Sequence, residues 1–187
     1  MSICDAGTVL SHRCETIGRG HAERLAPMAG EALKAAGLTP RDIDKLAVCT
    51  GPGSFTGLRV ALAFAKGFAL PRRLPVIGVS SLELWAREHD PEARRKIASL
   101  SDVRRGQICW AYFENGVQIK PAQTQEAAPA RAQIAALSPD EIIEDGPIDT
   151  RILAWLGAAL NPRDYPAAPL YSRPPDAKLA GGKSLPP

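Results

Sequence analysis

The stretch GPGSFTGLR, Gly51 to Arg59, has three glycines, two of which flank a proline, and two hydroxyl residues, and it lies where an apolar run meets a helix-forming run. A glycine-rich turn that feeds a helix leaves backbone N–H groups unpaired, and the helix dipole adds partial positive charge. Gly53, Ser54 and Thr56 are therefore candidates for binding an anion. The stretch lacks both the lysine of a Walker loop and the GxGxxG spacing. The structural alternative is a corner in which Ser54 or Thr56 caps the helix.

Residue types that catalyse or bind metal are scattered elsewhere. His12, His21 and His89 do not show the spacing of metal ligands, so no metal site is predicted. Ser54 has no histidine or carboxylate near it in sequence, and nothing there indicates a nucleophilic triad. We therefore assign no catalytic residue in this chain.

Positive charge is spread along the chain. The formal net charge is +3, and arginine pairs stand at 72–73, 94–95 and 104–105. Such a balance does not indicate a surface built for nucleic acid, and no stacking aromatic residues accompany the pairs. In SDVRRGQ, Asp102 with the pair 104–105 leaves two interpretations open, namely a ligand site between subdomains or a local ion pair at a strand turn.

The elements that must position these residues follow from periodicity. Short extended stretches at 2–4 and 8–14 predict a hairpin, and HAERLAPMAGEALKAAG predicts a helix that ends at Gly37. A buried strand over 45–50 precedes the GPGSFTGLR corner. The strand–helix–strand–helix order that continues to about residue 90 predicts α/β architecture, and 96–119 predicts adjacent strands with a turn at ENG.

The helix after the corner has almost no polar face, because small residues alternate with large apolar ones from Val60 to Ala69. A helix that is apolar all round must be covered all round. Either it lies wholly inside the domain, or one side is a docking surface where small residues let another helix approach. Its apolar run is too short to span a bilayer, and a cytoplasmic protein without membrane association is expected.

Taken together, these segments resemble the TsaB (YeaZ) family of bacterial tRNA threonylcarbamoyladenosine biosynthesis proteins. The matching stretches are IGRGHAERLAPM, CTGPGSFTGLRVALAFAKGFAL, VIGVSSLELWA, SDVRRGQICWAYF and PLYSRPPDAK. They occur in the family's order across most of the chain. GPGSFTGLR followed by an alanine-rich helix is the most specific of them.

The resemblance implies an actin-like ATPase (ribonuclease H-like) fold, with two subdomains that each contain a mixed sheet and helices. The expected boundaries are 1–90 for the N-terminal subdomain and 91–187 for the C-terminal one with its proline-rich tail. Family members begin with an apolar strand that MSICDAG does not supply, so we expect the N-terminal sheet to lack its first strand. We expect the natural reading frame to begin upstream of Met1, or the chain to be unstable alone.

The resemblance also implies a non-catalytic scaffold that binds the paralogue TsaD, the enzyme that transfers threonylcarbamoyl to the adenosine beside the anticodon. The ATPase TsaE would join the complex, tRNA would be reached indirectly, and a homodimer is possible in isolation. No cofactor is expected in this chain, with ATP or ADP possible only at the partner interface. Where the catalytic paralogue has HxxxH, this chain has His21 and Leu25, so no metal is expected.

The first two helices are implied to form the partner interface. Its residues are His21, Leu25, Met28, Leu33, Arg59, Val60, Ala63, Phe64 and Gly67. Two alternatives stay open. One is an ATP- or metal-dependent transferase or glycoprotease-like peptidase of the same superfamily, with the corner as phosphate site, and the other is a self-sufficient homodimer.

Overall fold

A computed structural model describes residues 1–15 and 20–172. Within these ranges the chain forms, in order, β1 (Ser2–Asp5), β2 (Thr8–His12), α1 (His21–Ala36), β3 (Leu46–Cys49), α2 (Phe55–Ala69), β4 (Val76–Val79), α3 (Ser81–His89), β5 (Lys96–Asp102), β6 (Gln107–Glu114), β7 (Val117–Glu126), α4 (Ala127–Ala136), β8 (Glu141–Glu144) and α5 (Thr150–Ala159).

The C-terminal half is built on a mixed sheet of strand order β7-β6-β5-β8, in which β8 runs parallel to β5 and the other pairs are antiparallel. Because side chains alternate between the two faces of a strand, each face carries its own core. Cys109, Ala111 and Phe113 of β6 pack with α3 residues on one face. Trp110 and Tyr112 pack with α4 residues on the other.

The N-terminal half contains a parallel pair, β3 with β4, and a separate hairpin, β1 with β2. Within the described residues, no strand pairing joins the hairpin to the parallel pair. Helix α5 contacts both β1 and β3 and connects them through side-chain packing. Helix α2 packs on β3, and α1 packs on the hairpin.

Helix α3 belongs to both halves. Leu84 packs in the core formed by β4 and α5, whereas Leu82 and Trp85 pack against β5 and β6. The first six of the nine residues of this helix are buried. The proposed subdomain boundary at residue 90 follows directly after this shared helix.

Turn and cap chemistry agree with the sequence in several places. Helix α1 ends at Gly37, whose φ of 70° is the left-handed conformation that glycine adopts at low cost. The helix continues through Pro27. Ser80 accepts a hydrogen bond from the backbone N–H of Glu83 at 3.1 Å, which confirms it as the N-cap of α3.

In the described part of the chain, no helix combines the length and apolar character needed to cross a bilayer. The segment after α5 is irregular up to residue 172. The rest of the expected proline-rich tail, 173–187, lies outside the described residues.

Two glycines should respond in opposite directions to replacement by alanine. A Cβ at Gly67 in α2 would meet no atom within 4 Å, and one at Gly78 in β4 would lie 2.5 Å from the Pro166 carbonyl oxygen and 2.7 Å from Thr50 Cγ2. We expect Gly67→Ala to raise the free energy of unfolding by about 0.5–1 kcal/mol, because glycine is a poor helix former. Gly78→Ala should lower it by roughly 1–3 kcal/mol through overpacking. Denaturant unfolding of both variants tests this, and a loss of stability in Gly67→Ala would contradict the exposed placement of α2.

Candidate functional site

The GPGSFTGLR corner is an internally bonded strand-to-helix turn. Ser54 caps α2, with its Oγ accepting the Gly57 N–H at 3.3 Å. Ser81 ties the turn to α3, because its Oγ donates to the Pro52 carbonyl at 2.9 Å and its N–H donates to the Gly51 carbonyl at 2.9 Å. The capping role predicted for Ser54 is confirmed.

A cleft of about 300 Å³ lies beside this corner. Gly53 and Ser54 line one wall, and Ser101 and Asp145 line the opposite one. The site forms where the carboxyl ends of the parallel strands β3, β4, β5 and β8 come together, which is the usual place for ligand sites in α/β sheets.

The described lining of the cleft lacks the positively charged side chains that would bind a polyphosphate. Among the described residues, its lining includes one carboxylate, Asp145, and neither lysine nor arginine. Asp145 accepts from Ser101 Oγ at 2.6 Å and from the Asp102 N–H at 3.0 Å. The anion-site assignment of Gly53, Ser54 and Thr56 stays a prediction; all three are exposed, and Ser54 already serves as a cap.

Helix α2 is covered on one side only. Leu62, Ala65 and Ala69 are buried, so the interpretation that places this helix wholly inside the domain is wrong. Another side carries exposed residues about one helical turn apart, and this line continues into the residue that follows the helix. We call it the α2 stripe; its members are Phe55, Arg59, Ala63, Gly67 and, directly after α2, Leu70.

The α2 stripe is apolar apart from Arg59. Leu70 is 75% exposed. Beside the stripe lie Val60 and Phe64, both half-buried. Phe64 contacts Phe68 with ring centroids 6.3 Å apart. The structure therefore brings Arg59, Val60, Ala63, Phe64 and Gly67 together on one side of a single helix.

Helix α1 lies beside α2 and contributes fewer accessible residues than expected. Leu25 is half-buried, whereas Met28 and Leu33 are buried in the protein's own core. These two can support the surface but do not form it. His21 begins the helix, and its side chain lies outside what the structure describes. The assignment of all four to a partner interface stays a prediction.

Ion pairs between acidic and basic side chains lie at the start of α1. The Arg24 guanidinium binds the carboxylates of both Glu15 and Glu31, the latter at 2.8 Å. Hydrogen bonding to Arg24 lowers the pKa of each carboxyl below its usual value. The network joins Glu15 to α1.

Arg59 is held in a cluster with two aromatic rings. Its guanidinium carbon stacks 3.7 Å from the Phe55 ring centroid, and its Nε donates to Tyr171 Oη at 3.1 Å. The rings of Phe55 and Tyr171 lie 5.4 Å apart and are 44% and 43% exposed. Phe55 could have been found from its spacing of four residues to Arg59. Tyr171 lies 112 positions from Arg59 in the sequence, so no local spacing indicates that the two side chains meet.

Tyr171 reaches this place because the segment 165–172 crosses the N-terminal half. The Gly78 N–H donates to the Tyr165 carbonyl at 3.0 Å, and the Leu170 N–H donates to the Thr50 carbonyl at 2.8 Å. Tyr165 Oη also donates to Glu83 Oε1 at 3.2 Å. Glu83 is 8% exposed, and burial raises its pKa above the ordinary value.

The remaining candidate residues have ordinary structural partners. His12 Nδ1 lies 2.9 Å from Ser2 Oγ, and His89 Nδ1 lies 2.7 Å from Glu141 Oε1. Among residues 1–15 and 20–172, no group of three or more His, Cys, Asp or Glu side chains is arranged to hold a metal ion.

Comparison with known proteins agrees with this geometry. Residues 13–152 match the family model described as TsaD, tRNA N6-adenosine threonylcarbamoyltransferase. An uncharacterized protein of Mycobacterium tuberculosis is 35% identical over 185 residues, which cover 91% of this chain and 83% of that protein. The tRNA threonylcarbamoyladenosine biosynthesis protein TsaB of Escherichia coli is 38% identical over 122 residues, covering 63% of this chain and 52% of TsaB.

Solved structures show the same fold. YeaZ from Pseudomonas aeruginosa aligns with a TM-score of 0.67 at 25% identity, covering 91% of this chain and 92% of YeaZ. Fold and cleft thus define an α/β protein of the actin-like, ribonuclease H-like class. Within that class, the chain belongs to the TsaB (YeaZ) family of tRNA threonylcarbamoyladenosine biosynthesis proteins.

The burial of Glu83 predicts a pH dependence of stability. The pKa of Glu83 is raised above 4.5 in the folded protein. The folded protein therefore binds the carboxyl proton of Glu83 more tightly than the unfolded chain does. Stability contributed by Glu83 is therefore greatest at low pH and is lost as pH rises from 4.5 through the raised pKa. We expect Glu83→Gln to melt increasingly above wild type between about pH 4 and pH 7.

The matched control is Glu88→Gln, an exposed position on the same helix. Its melting difference from wild type should stay flat over the same range. Thermal melts followed by circular dichroism supply the measurement. A flat difference for Glu83→Gln as well would show that burial does not destabilise the ionised carboxylate.

Proposed function

We propose that this chain is a non-catalytic subunit that docks a TsaD-type tRNA N6-adenosine threonylcarbamoyltransferase and supports formation of threonylcarbamoyladenosine. The observation that carries the proposal is the α2 stripe. A helix whose outer side presents Ala63, Gly67 and a 75% exposed Leu70 leaves apolar surface in water. Such a patch is typical of a surface that a partner covers.

The small residues define what kind of partner surface fits. Ala63 and Gly67 stand one helical turn apart, and a Cβ at Gly67 would meet nothing within 4 Å. Without bulky side chains, a facing helix can bring its backbone close, and van der Waals contact then extends along both helices. Half-buried Val60 and Phe64 flank this line. We infer that the partner contributes a helix laid along α2.

Arg59 is the polar element of the proposed interface. Stacking on Phe55 and the bond to Tyr171 fix its side chain before a partner binds, so less conformational entropy is lost on association. Arginine and aromatic residues are enriched among the positions that dominate interface energies. The Arg59 cluster stands at one end of the α2 stripe, and Leu70 stands at the other.

The hydrogen bonds of the cleft residues favour a non-catalytic role for this chain. Ser54 caps α2, Ser81 bonds the Pro52 carbonyl, and Asp145 accepts two hydrogen bonds from its own chain. Each polar group is thus committed to the fold. In this proposal the chain has no cofactor of its own, and any ATP or ADP lies at the partner interface.

The wider assembly follows from the same proposal. TsaE joins the complex in the cytoplasm, and tRNA is modified by the partner. Self-association of this chain would use the same apolar helix side, so a homodimer competes with docking of the enzyme.

Ala63→Glu or Gly67→Glu should abolish complex formation with TsaD. Either change places a charge that would be desolvated in the interface, and both positions are exposed in the free chain, so folding is retained. The measurement is co-purification of the tagged chain with TsaD from the same cell, followed by a tRNA modification assay.

Ala132→Glu, at an exposed alanine on α4, is the matched control and should bind TsaD like wild type. A normal complex formed by folded Gly67→Glu would refute the docking role of α2. Modification catalysed by this chain alone would refute the non-catalytic role.

A further inference from the structure

The loop that joins β5 to β6 is held in an unusual conformation. Arg104, Arg105 and Gly106 follow one another with φ values of 68°, 55° and 73°. The left-handed region is costly for residues with a side chain, and such residues cluster at functional sites. The loop is pinned by Asp102, whose Oδ1 accepts the Arg104 N–H at 2.7 Å, and by the Val103 N–H, which donates to the Gln107 carbonyl at 3.0 Å.

This conformation places both arginines in the wall of a cavity of about 170 Å³. Arg131 and Ala127, from the first turns of α4, form the facing wall. Helix α4 begins without a side-chain cap, and the Ala127 N–H donates to the Gly106 carbonyl at 2.8 Å. The cavity lies at the carboxyl ends of β5 and β8, next to the cleft described above.

The charges in the cavity favour an anion. Three guanidinium groups line it together with two carboxylates, those of Asp102 and Glu144. Asp102 is used by the loop backbone, and Glu144 holds the Arg131 guanidinium at 2.5 Å. Arg104 and Arg105 also have interaction partners within the chain, so a ligand would share these groups. The positive end of α4 adds to the attraction.

Guanidinium groups match the geometry of phosphate and carboxylate oxygens, with which they form paired hydrogen bonds. All three arginines are exposed, so a ligand can reach the cavity from solvent. We propose that this cavity binds a phosphate group of an RNA backbone, which would give the chain a direct contact with RNA. The inference rests on the proposed function for its choice of RNA over free phosphate, but its chemistry is independent of the α2 stripe.

The test is fluorescence anisotropy of the full chain with a labelled anticodon stem-loop RNA, at salt concentrations from about 50 to 200 mM. We expect Arg105→Gln and Arg131→Gln each to weaken binding about tenfold and to lower the slope of log K against log salt by about one. Glutamine at position 105 meets the same backbone restriction as arginine, so folding is unchanged. Arg94→Gln, an exposed arginine paired with Glu92, is the matched control and should change neither quantity.

Inorganic phosphate distinguishes the sources of the anion. In an NMR titration it should shift the Gly106 amide of wild type and compete with the RNA. If phosphate shifts that amide but both variants bind RNA like wild type, the site takes free phosphate and the RNA inference is overturned. Unchanged affinity and salt slope with no phosphate response overturn the site altogether. Co-purification of Arg105→Gln with TsaD separates this result from the docking proposal, which is tested by the wild-type complex and by Gly67→Glu.

Discussion

The packing of α3 between two sheets is the constraint on which the rest of the structure depends. Leu84 faces β4 and α5, and Leu82 and Trp85 face the sheet of the C-terminal half. Glu83 lies in the buried part of this helix, where its carboxyl group accepts a hydrogen bond from Tyr165 Oη. Because one helix completes two cores, the halves cannot separate without exposing apolar surface from both.

The cleft is a consequence of this shared helix. With α3 between them, the parallel pair and the mixed sheet direct the carboxyl ends of β3, β4, β5 and β8 to the same region. The segment 165–172 then crosses the N-terminal half and brings Tyr171 to Arg59. Helix α5 packs against β1 and β3, in a different hydrophobic cluster from α2. The outer side of α2 is what this arrangement leaves uncovered.

Much of the candidate site was predictable because its signals are local. The capping role of Ser54, the ends of α1 and α3, and the hairpin turn at Asn115 depend on residues within a few positions of each other. The family resemblance supplied the choice between an internal and a surface α2, which periodicity alone had left open. In the N-terminal half the hairpin and the parallel pair form separate sheets, and local patterns do not encode this because strand partnership depends on distant segments.

The sequence by itself determined the order of elements up to about residue 119, the family and the chemistry available at each turn, because apolar spacing, caps and glycines act over one or two helical turns. Only the tertiary structure decided which side of α2 is exposed, that Met28 and Leu33 belong to the core, and that Arg59 meets Tyr171. It also decided that Arg104, Arg105 and Arg131 line one cavity. Periodicity states that a helix has an apolar face, whereas what covers that face depends on how the whole chain packs.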